Sequence, residues 1–424
     1  MPPSGIKEST LDDKDQLLVL GNGFDLQCGL KSAFADFMET RRTLIAEANG
    51  EWDPNRIPSL EGPEGPNGKL PDGNRFAYLL WNKGLTAWDF VLGEDEQERT
   101  WYDIEECIRT WVDYGTARGG SPCDEHMRRI LFMQGGAYPT IPRPTTSEIA
   151  VHHFAQDLYQ LGLTGWGPDS ILSVLMDELH RFEREFAEYL KEQQGECTEY
   201  SNKAVGLLSN LVTDEAQPDT PAYLLTEFPG PVSVLNFNYT YPSALFGDIA
   251  PSMLSVHGLA IDGNIIFGMD GKNLDPSQPY YASTVKFSKT YRLMDLSSRP
   301  HRSLVRPYVA GSPGSATEVI KFFGHSLGDA DYSYFQAIFD EVNLYESETR
   351  LIFYYNQNRP IGKGREKEVK EEMFEKVNRL ITTYGATLDN EDHGRNLLHK
   401  LLLEGRLTIK QAPIGPTQIA SNSS

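Results

Sequence analysis

The chain has 424 residues, of which 39% are hydrophobic and 23% charged, and its net charge is −21. So large a negative charge argues against unaided binding to nucleic acid, whose phosphates would be repelled. The four cysteines form no C-x-x-C pair, which indicates reduced thiols and no metal site. Because there is no apolar run of about 18 residues and no secretory signal, we expect a cytoplasmic protein with no membrane partner.

The first elements in chain order are a strand at 17–20 and a helix at 33–48. The stretch 49–74 is rich in Gly, Pro, Asn and Asp and is interpreted as a surface loop. A long helix is predicted at 169–194, because five apolar residues recur at steps of four and three: Leu175, Leu179, Phe182, Phe186 and Tyr189. Such a stripe favours packing against other helices.

After residue 231 short apolar runs alternate with helical stretches, which is typical of a parallel sheet buried on both faces. The predicted strands are 232–235, 253–256, 265–267, 319–323, 351–355 and 407–410, and the predicted helices are 332–342 and 366–383. We therefore predict an α/β fold, a Rossmann-like parallel sheet with a large, mainly helical insertion. The predicted domains are 1–30 plus 231–412 for the sheet, 31–230 for the insertion, and 413–424 as a tail.

Polar residues and glycines follow most of these strands. Ligands of open parallel sheets bind beyond the carboxyl ends of the strands, so these residues predict a nucleotide pocket. Alone, each of them is an ordinary turn or cap residue. The set is Gly21, Asn22, Gly23, Asp25, Asn238, His257, Gly324, Ser326 and Asn356.

Several of the same stretches resemble the motifs of the AbiH family of phage abortive-infection proteins. They are 21–30 with Phe34, Asp36 and Phe37, then 238–240, 256–258, 267–268, 287–289, and 324–328 with Asp331 and Phe335. The departures are Lys31 and Ser32, where the family usually has Pro and Thr, and Phe34, where it often has Tyr. The resemblance implies a role in phage defence, with a homo-oligomer or a phage-derived trigger as protein partners.

The motifs are also similar, more distantly, to the NAD-binding fold of sirtuins and sirtuin-like NAD hydrolases. Gly23 and Gly29 keep the spacing of the sirtuin glycine turn, and Asn238 and His257 stand where sirtuins have Asn and His. The resemblance implies that Gly324 to Ser326 contact the ribose of the cofactor and that Asn356 corresponds to the last sirtuin Asn. This chain lacks the sirtuin zinc module, so the resemblance favours NAD binding or cleavage over deacylation.

Cleavage of the N-glycosidic bond of NAD suits these residue types, because the nicotinamide ring is cationic in NAD and leaves readily as a neutral molecule. We expect Asn238 to hold a water molecule or a ribose hydroxyl, and His257 to accept a proton. Asp25 is expected to bond a ribose hydroxyl or to steady the positive charge, or else to cap a helix. A non-catalytic module for nucleotide sensing and assembly is the alternative.

A third interpretation starts from Gly324 to Gly328, which match the G-x-S-x-G elbow of serine hydrolases. Ser326 would then be the nucleophile, supported by an Asp and a His taken from Asp389, Asp392, His393 and His399. Against it, Asp329 and Asp331 follow the turn, where two acids suit helix capping and would repel an oxyanion.

The segment 286–306 carries six Lys and Arg residues against one acid. It is interpreted either as a contact for phosphates or an acidic partner, or as a basic stretch that pairs with the acids of the chain itself.

Overall fold

The computed structural model describes residues 16–51, 80–93, 101–116, 158, 168–214, 232–241, 252–271, 274–278, 280–296, 303–328, 331–356 and 366–413. The loop predicted at 49–74 therefore lies, from residue 52 onward, outside the described residues, and so does the predicted tail from residue 414 onward.

Six parallel strands form one sheet in the order β3-β2-β1-β4-β5-β6. They are β1 (Gln16–Leu20), β2 (Val232–Asn236), β3 (Ser252–Ser255), β4 (Val319–Phe323), β5 (Arg350–Tyr355) and β6 (Leu407–Gln411). The predicted α/β fold with a parallel sheet is thus confirmed. β1 pairs with β2 in register, Leu20 beside Asn236, although more than 200 residues separate them in sequence.

The strand order reverses at β1, which lies between β2 and β4. This is the order of the classic dinucleotide-binding fold, in which the crevice at the reversal point receives the ligand. The turns that follow β1 and β4 flank this crevice, and both carry residues that the sequence predicts to be functional.

The described α-helices are α1 (Gly23–Gln27), α2 (Phe34–Glu51), α3 (Ala87–Gly93), α4 (Trp101–Thr116), α5 (Pro168–Glu196), α6 (Tyr200–Thr213), α7 (Tyr281–Thr284), α8 (Lys289–Leu296), α9 (Tyr332–Glu341), α10 (Glu366–Gly385) and α11 (Glu391–Leu403). The four helices predicted at 33–48, 169–194, 332–342 and 366–383 correspond to α2, α5, α9 and α10. Among the described helices, none has the length and apolar character that crossing a membrane requires.

Contacts divide the chain into two compact units, one formed by 1–31, 192–259 and 299–424 and the other by 32–191 and 260–298. The first, which contains the sheet, is called the sheet unit here, and the second the helical unit. The predicted insertion includes α6, whereas in the structure α6 packs on the sheet, because its apolar face meets the strand side chains.

The sheet is buried on both faces. Along β1, Leu17 and Val19 enter one apolar core, and Leu18 and Leu20 enter the other. Side chains of α9, α10 and α11 complete the first core, and those of α1 and α6 complete the second. Alternate burial on two faces explains why the strands read as nearly continuous apolar runs.

The strand predicted at 265–267 is wrong. These residues belong to the helical unit and form no strand. The backbone N–H of Phe267 donates to the carboxylate of Glu183 at 2.7 Å, and its ring packs against Phe182 and Phe186 at centroid distances of 5.8 and 5.4 Å. The apolar run is therefore buried by aromatic side chains rather than by neighbouring strands.

The apolar stripe of α5 is buried, as its spacing predicts: Leu175, Leu179, Phe182, Phe186 and Tyr189 are all at most 8% exposed. Among the acids of α5, Glu178 is also buried. Its carboxylate accepts from the backbone N–H of Ala87 at 3.0 Å and from the indole of Trp81 at 3.3 Å. Burial raises the pKa of Glu178 to about 7, although these two hydrogen bonds act to lower it.

Candidate active site

The turns that follow β1 and β4 meet backbone to backbone. Gly21 donates its N–H to Phe323 O at 3.0 Å, and Gly23 donates to Gly324 O at 2.9 Å. A Cβ on Gly23 would lie 2.6 Å from the Cα of Gly324, which itself has a φ of 72°. Glycine is needed at both positions for close approach and for the left-handed backbone. The amide of Gly23 is thus already hydrogen-bonded within the protein.

Asp25 lies in α1 and is 1% exposed. Tyr200 on α6 donates its hydroxyl to Oδ1 of Asp25 at 2.7 Å, and Thr240 donates its hydroxyl to Oδ2. The interpretation of Asp25 as a helix cap is therefore wrong, since the N-cap position is Asn22. Burial raises the pKa of Asp25 to about 6, and the bonds from Thr240 and Tyr200 limit the rise.

The loop that follows β2 is organised by Asn236. Its side-chain amide donates to the backbone oxygens of Asn238 and Thr240 at 3.2 and 3.3 Å, and its Oδ1 accepts from the N–H of Asn238 at 3.1 Å. These bonds bring Thr240 to Asp25. They also bury the side chain of Asn238, whose Oδ1 has no hydrogen-bond partner in the described part of the chain.

A small cavity lies between this loop, α1 and the ends of β1 and β3. Its volume is about 10 Å³, which is room for roughly one water molecule. Asp25 and Asn238 both belong to the lining, so two of the predicted catalytic residues are brought together. The lining residues are Leu20, Phe24, Asp25, Asn236, Asn238, Thr240, Tyr241 and Met253.

His257 does not line this cavity. Its Nδ1 lies 3.2 Å from the backbone oxygen of Phe237, and its Nε2 lies 3.2 Å from Oδ1 of Asp331. The other oxygen of Asp331, Oδ2, lies 3.3 Å from Nε2 of His325. Asp331 occupies the N-cap position of α9, at the helix start where the sequence predicts it, but its side chain makes no capping bond. The carboxylate lies instead between the side chains of His257 and His325, which are 7% and 5% exposed.

The remaining predicted ligand residues are placed differently. Ser326 is exposed, and Leu327 and Gly328, which follow it, are not helical. An elbow needs a helix directly after its serine, so this geometry does not support the hydrolase interpretation. Asn356 donates its side-chain amide to Gln27, which ties the end of β5 to α1. Asn22 is half-buried at the start of α1.

Residues 17–355, well over half of the chain, match the family described as bacteriophage abortive infection AbiH. The chain belongs to the AbiH family. No curated protein and no solved structure matches it. The similarity to sirtuins stays a prediction.

Two of the AbiH motifs are structural in this chain. Met269 donates its N–H to Phe287 O at 2.9 Å, and Lys289 donates its N–H to Met269 O at 3.0 Å. A Cβ on Gly268 would lie 2.6 Å from Phe287 O. The motifs at 267–268 and 287–289 therefore hold each other within the helical unit, and neither belongs to the predicted pocket.

Part of the basic segment of this AbiH protein pairs with the acids of the chain. Lys289 forms an ion pair with Glu105, and Arg292 binds the carboxylate of Glu183, with Nη2 to Oε2 at 2.7 Å. For these two residues the self-pairing interpretation is confirmed. Arg299 and Arg302 lie outside the described residues.

The sequence does not predict Tyr200 as a member of the site or Thr240 as a donor to Asp25, and it gives His325 no role apart from its place in the turn from Gly324 to Ser326. Tyr200 follows a predicted helix and carries no local motif, so only the packing of α6 on the sheet reveals it. His325 was the variable position of a G-x-S-x-G match. In the structure its ring lies 4.4 Å from that of Phe237 and 5.1 Å from that of Phe335. In the described part of the chain no group of three or more His, Cys, Asp or Glu side chains is arranged to hold a metal ion.

Proposed function

We propose that this AbiH protein acts in phage defence by binding NAD or a related nucleotide beside the reversal point of its sheet and cleaving the N-glycosidic bond. The observation that carries the proposal is the carboxylate of Asp25. It lines a buried cavity at the carboxyl ends of the strands, and the bonds that it accepts come from two hydroxyls, those of Tyr200 and Thr240. Ligands of sheets with this strand order bind at that edge.

The chemistry of these residues supports the proposal. With a pKa of about 6, Asp25 is ionised at neutral pH, and its conjugate acid is weak enough to make it a useful proton acceptor. A negative charge in a buried site also stabilises the positive charge that develops on the ribose as nicotinamide leaves. The Oδ1 of Asn238 is an acceptor for the attacking water or for a ribose hydroxyl.

The first test is incubation of the purified protein with NAD, with free nicotinamide and ADP-ribose measured by chromatography. Asn238→Ala should lower the release of nicotinamide about 100-fold, because a misplaced reactant costs about that much. Asn396→Ala is the matched control, since Asn396 is exposed and accepts a bond from Tyr345 at 3.1 Å. Equal activity of both variants would remove Asn238 from the site.

Nucleotide sensing without cleavage is a second candidate, and two observations favour it. The cavity holds about one water molecule, and the amide of Gly23 donates to Gly324 O rather than being available to a phosphate. Calorimetry with NAD separates the two candidates. Binding without release of nicotinamide supports sensing, whereas an absence of binding contradicts both.

A further inference from the structure

We propose that Asp331 keeps His257 protonated, and that the protonated His257 positions the loop that follows β2 instead of accepting a proton in the reaction. Asp331 thereby becomes a positioning residue, and Asp25 is left as the proton acceptor. The role in catalysis rests on the proposed function, but the location of the proton is argued from geometry alone.

The side chains of His257, His325 and Asp331 form a buried cluster within the sheet unit. His257 follows β3, His325 follows β4, and Asp331 precedes α9. The side chains of the two histidines are 7% and 5% exposed, and that of Asp331 is 11% exposed. Each carboxylate oxygen of Asp331 faces the Nε2 of a different histidine, at 3.2 and 3.3 Å.

The proton on His325 is located by its backbone partner. The N–H of Leu327 donates to Nδ1 of His325 at 2.9 Å, so this nitrogen carries no hydrogen. The hydrogen of the ring is therefore on Nε2, where it donates to Oδ2 of Asp331. His325 is a neutral imidazole that supplies Asp331 with one hydrogen bond.

His257 has an acceptor at each ring nitrogen. A carbonyl oxygen only accepts, so Nδ1 must carry a hydrogen toward Phe237 O. Nε2 faces Oδ1 of Asp331, and a bare nitrogen there would set two lone pairs against each other. One proton must lie between them. Imidazole is a stronger base than a carboxylate, so this proton is on His257, which is an imidazolium.

The titratable and aromatic groups that surround His257 fit this assignment. Asp331 carries the balancing negative charge, and His325 is neutral. The ring of Tyr239 stacks face to face on His257 at a centroid distance of 5.6 Å. An aromatic face attracts a cation, so this contact favours the charged ring.

The consequence is that His257 holds the loop rather than removing a proton. Its Nδ1–H binds Phe237 O, and residue 237 lies in the same loop as Asn238 and Thr240. Both of those residues line the cavity, and Thr240 donates to Asp25, whereas His257 does not line the cavity. The proton acceptor that faces the cavity is Asp25.

The proton is located directly by NMR of the protein labelled with ¹⁵N at its nine histidines. We use pH 8, where an ordinary histidine is neutral, and assign the ring of His257 by its loss in His257→Gln. The expected result is two protonated ring nitrogens on His257 and a neutral ring on His325. In Asp331→Asn, His257 should become neutral. In Asp340→Asn, which changes a carboxylate of α9 bonded to Tyr384, it should stay charged. A bare nitrogen on His257 of the unmutated protein overturns the proposal.

The role in catalysis is tested by kcat/KM for NAD cleavage as a function of pH. Wild-type kcat/KM should rise as Asp25 ionises near pH 6. His257→Gln should lower kcat/KM about 10–100-fold through misplacement of the loop, while the same rise with pH remains. Loss of the rise in this variant would make His257 the acceptor and contradict the proposal. If the wild-type protein releases no nicotinamide, the proposed function fails, and the NMR experiment still decides where the proton lies.

Discussion

Asp25 in the sheet unit and Glu183 in the helical unit are both buried carboxylates, but their partners differ. Glu183 binds the guanidinium of Arg292 through both of its oxygens and also accepts the N–H of Phe267. Asp25 accepts from the hydroxyls of Tyr200 and Thr240. A bound cation neutralises a carboxylate and gives it a structural role. Hydroxyls satisfy its lone pairs without cancelling its charge, which leaves the charge for chemistry.

The largest effect expected from this comparison is the loss of activity in Asp25→Asn. If NAD cleavage is the activity, this variant should reduce kcat about 10²–10⁴-fold, because it removes the proton acceptor and preserves the shape. Asp389→Asn, an exposed carboxylate of the same unit, should be unchanged. Nicotinamide release and circular dichroism are measured for both. A fully active Asp25→Asn would end the assignment of Asp25 to catalysis.

For the structural carboxylate, Glu183, the variant that corresponds to Asp25→Asn is Glu183→Gln. It leaves Arg292 without its charge partner. We expect a loss of about 3–5 kcal/mol in the free energy of unfolding, measured by urea denaturation. Glu188→Gln on the same helix is the matched control, because Glu188 pairs with Lys191 at the surface at 2.9 Å. That control should cost under about 1 kcal/mol. Similar losses in the two variants would show that burial of the Glu183–Arg292 ion pair does not determine its contribution to stability.

The dependence of stability on pH should separate Asp25 from paired carboxylates. Its pKa is raised from 3.8 to about 6 in the folded protein. Between these values the folded state binds more protons than the unfolded state, so the contribution of Asp25 to stability falls as pH rises and is constant above about pH 6.

Asp25→Asn should therefore match the wild type in stability near pH 3, below both pKa values, and exceed it by about 3 kcal/mol at pH 7. Urea denaturation at a series of pH values measures this difference. A constant difference across the range would mean that Asp25 has an ordinary pKa in the folded protein.

The smallest effect is expected from Ser326→Ala. The serine is exposed, and the resemblance to sirtuins predicts for it a ribose hydrogen bond of about 1 kcal/mol, which corresponds to roughly a tenfold loss of nucleotide affinity or less. Stability should stay within about 0.5 kcal/mol. Complete inactivation with nucleotide binding intact would return Ser326 to the role of a nucleophile.

Much of the sheet could be predicted because burial on both faces leaves a local signal. The runs that contain Leu17 and Phe353 are apolar without alternation, and each is followed by a polar turn. The same signal predicts a strand wrongly at 265–267, where the aromatic side chains of α5 bury the run. An apolar run records that its residues are buried, but not what buries them.

The sequence by itself determined the parallel sheet, the glycine turn after β1, and Asn238 and Asp25 as members of one edge. These follow from short-range patterns, because strand burial and turn chemistry depend on neighbouring residues. Only the tertiary structure decided that Tyr200 donates to Asp25, and that Asp331 joins His257 to His325. Tyr200 is 175 positions from Asp25 in the sequence, and Asp331 is 74 positions from His257. A hydrogen bond depends on distance in space, and no local pattern of residues encodes the distance between such remote positions.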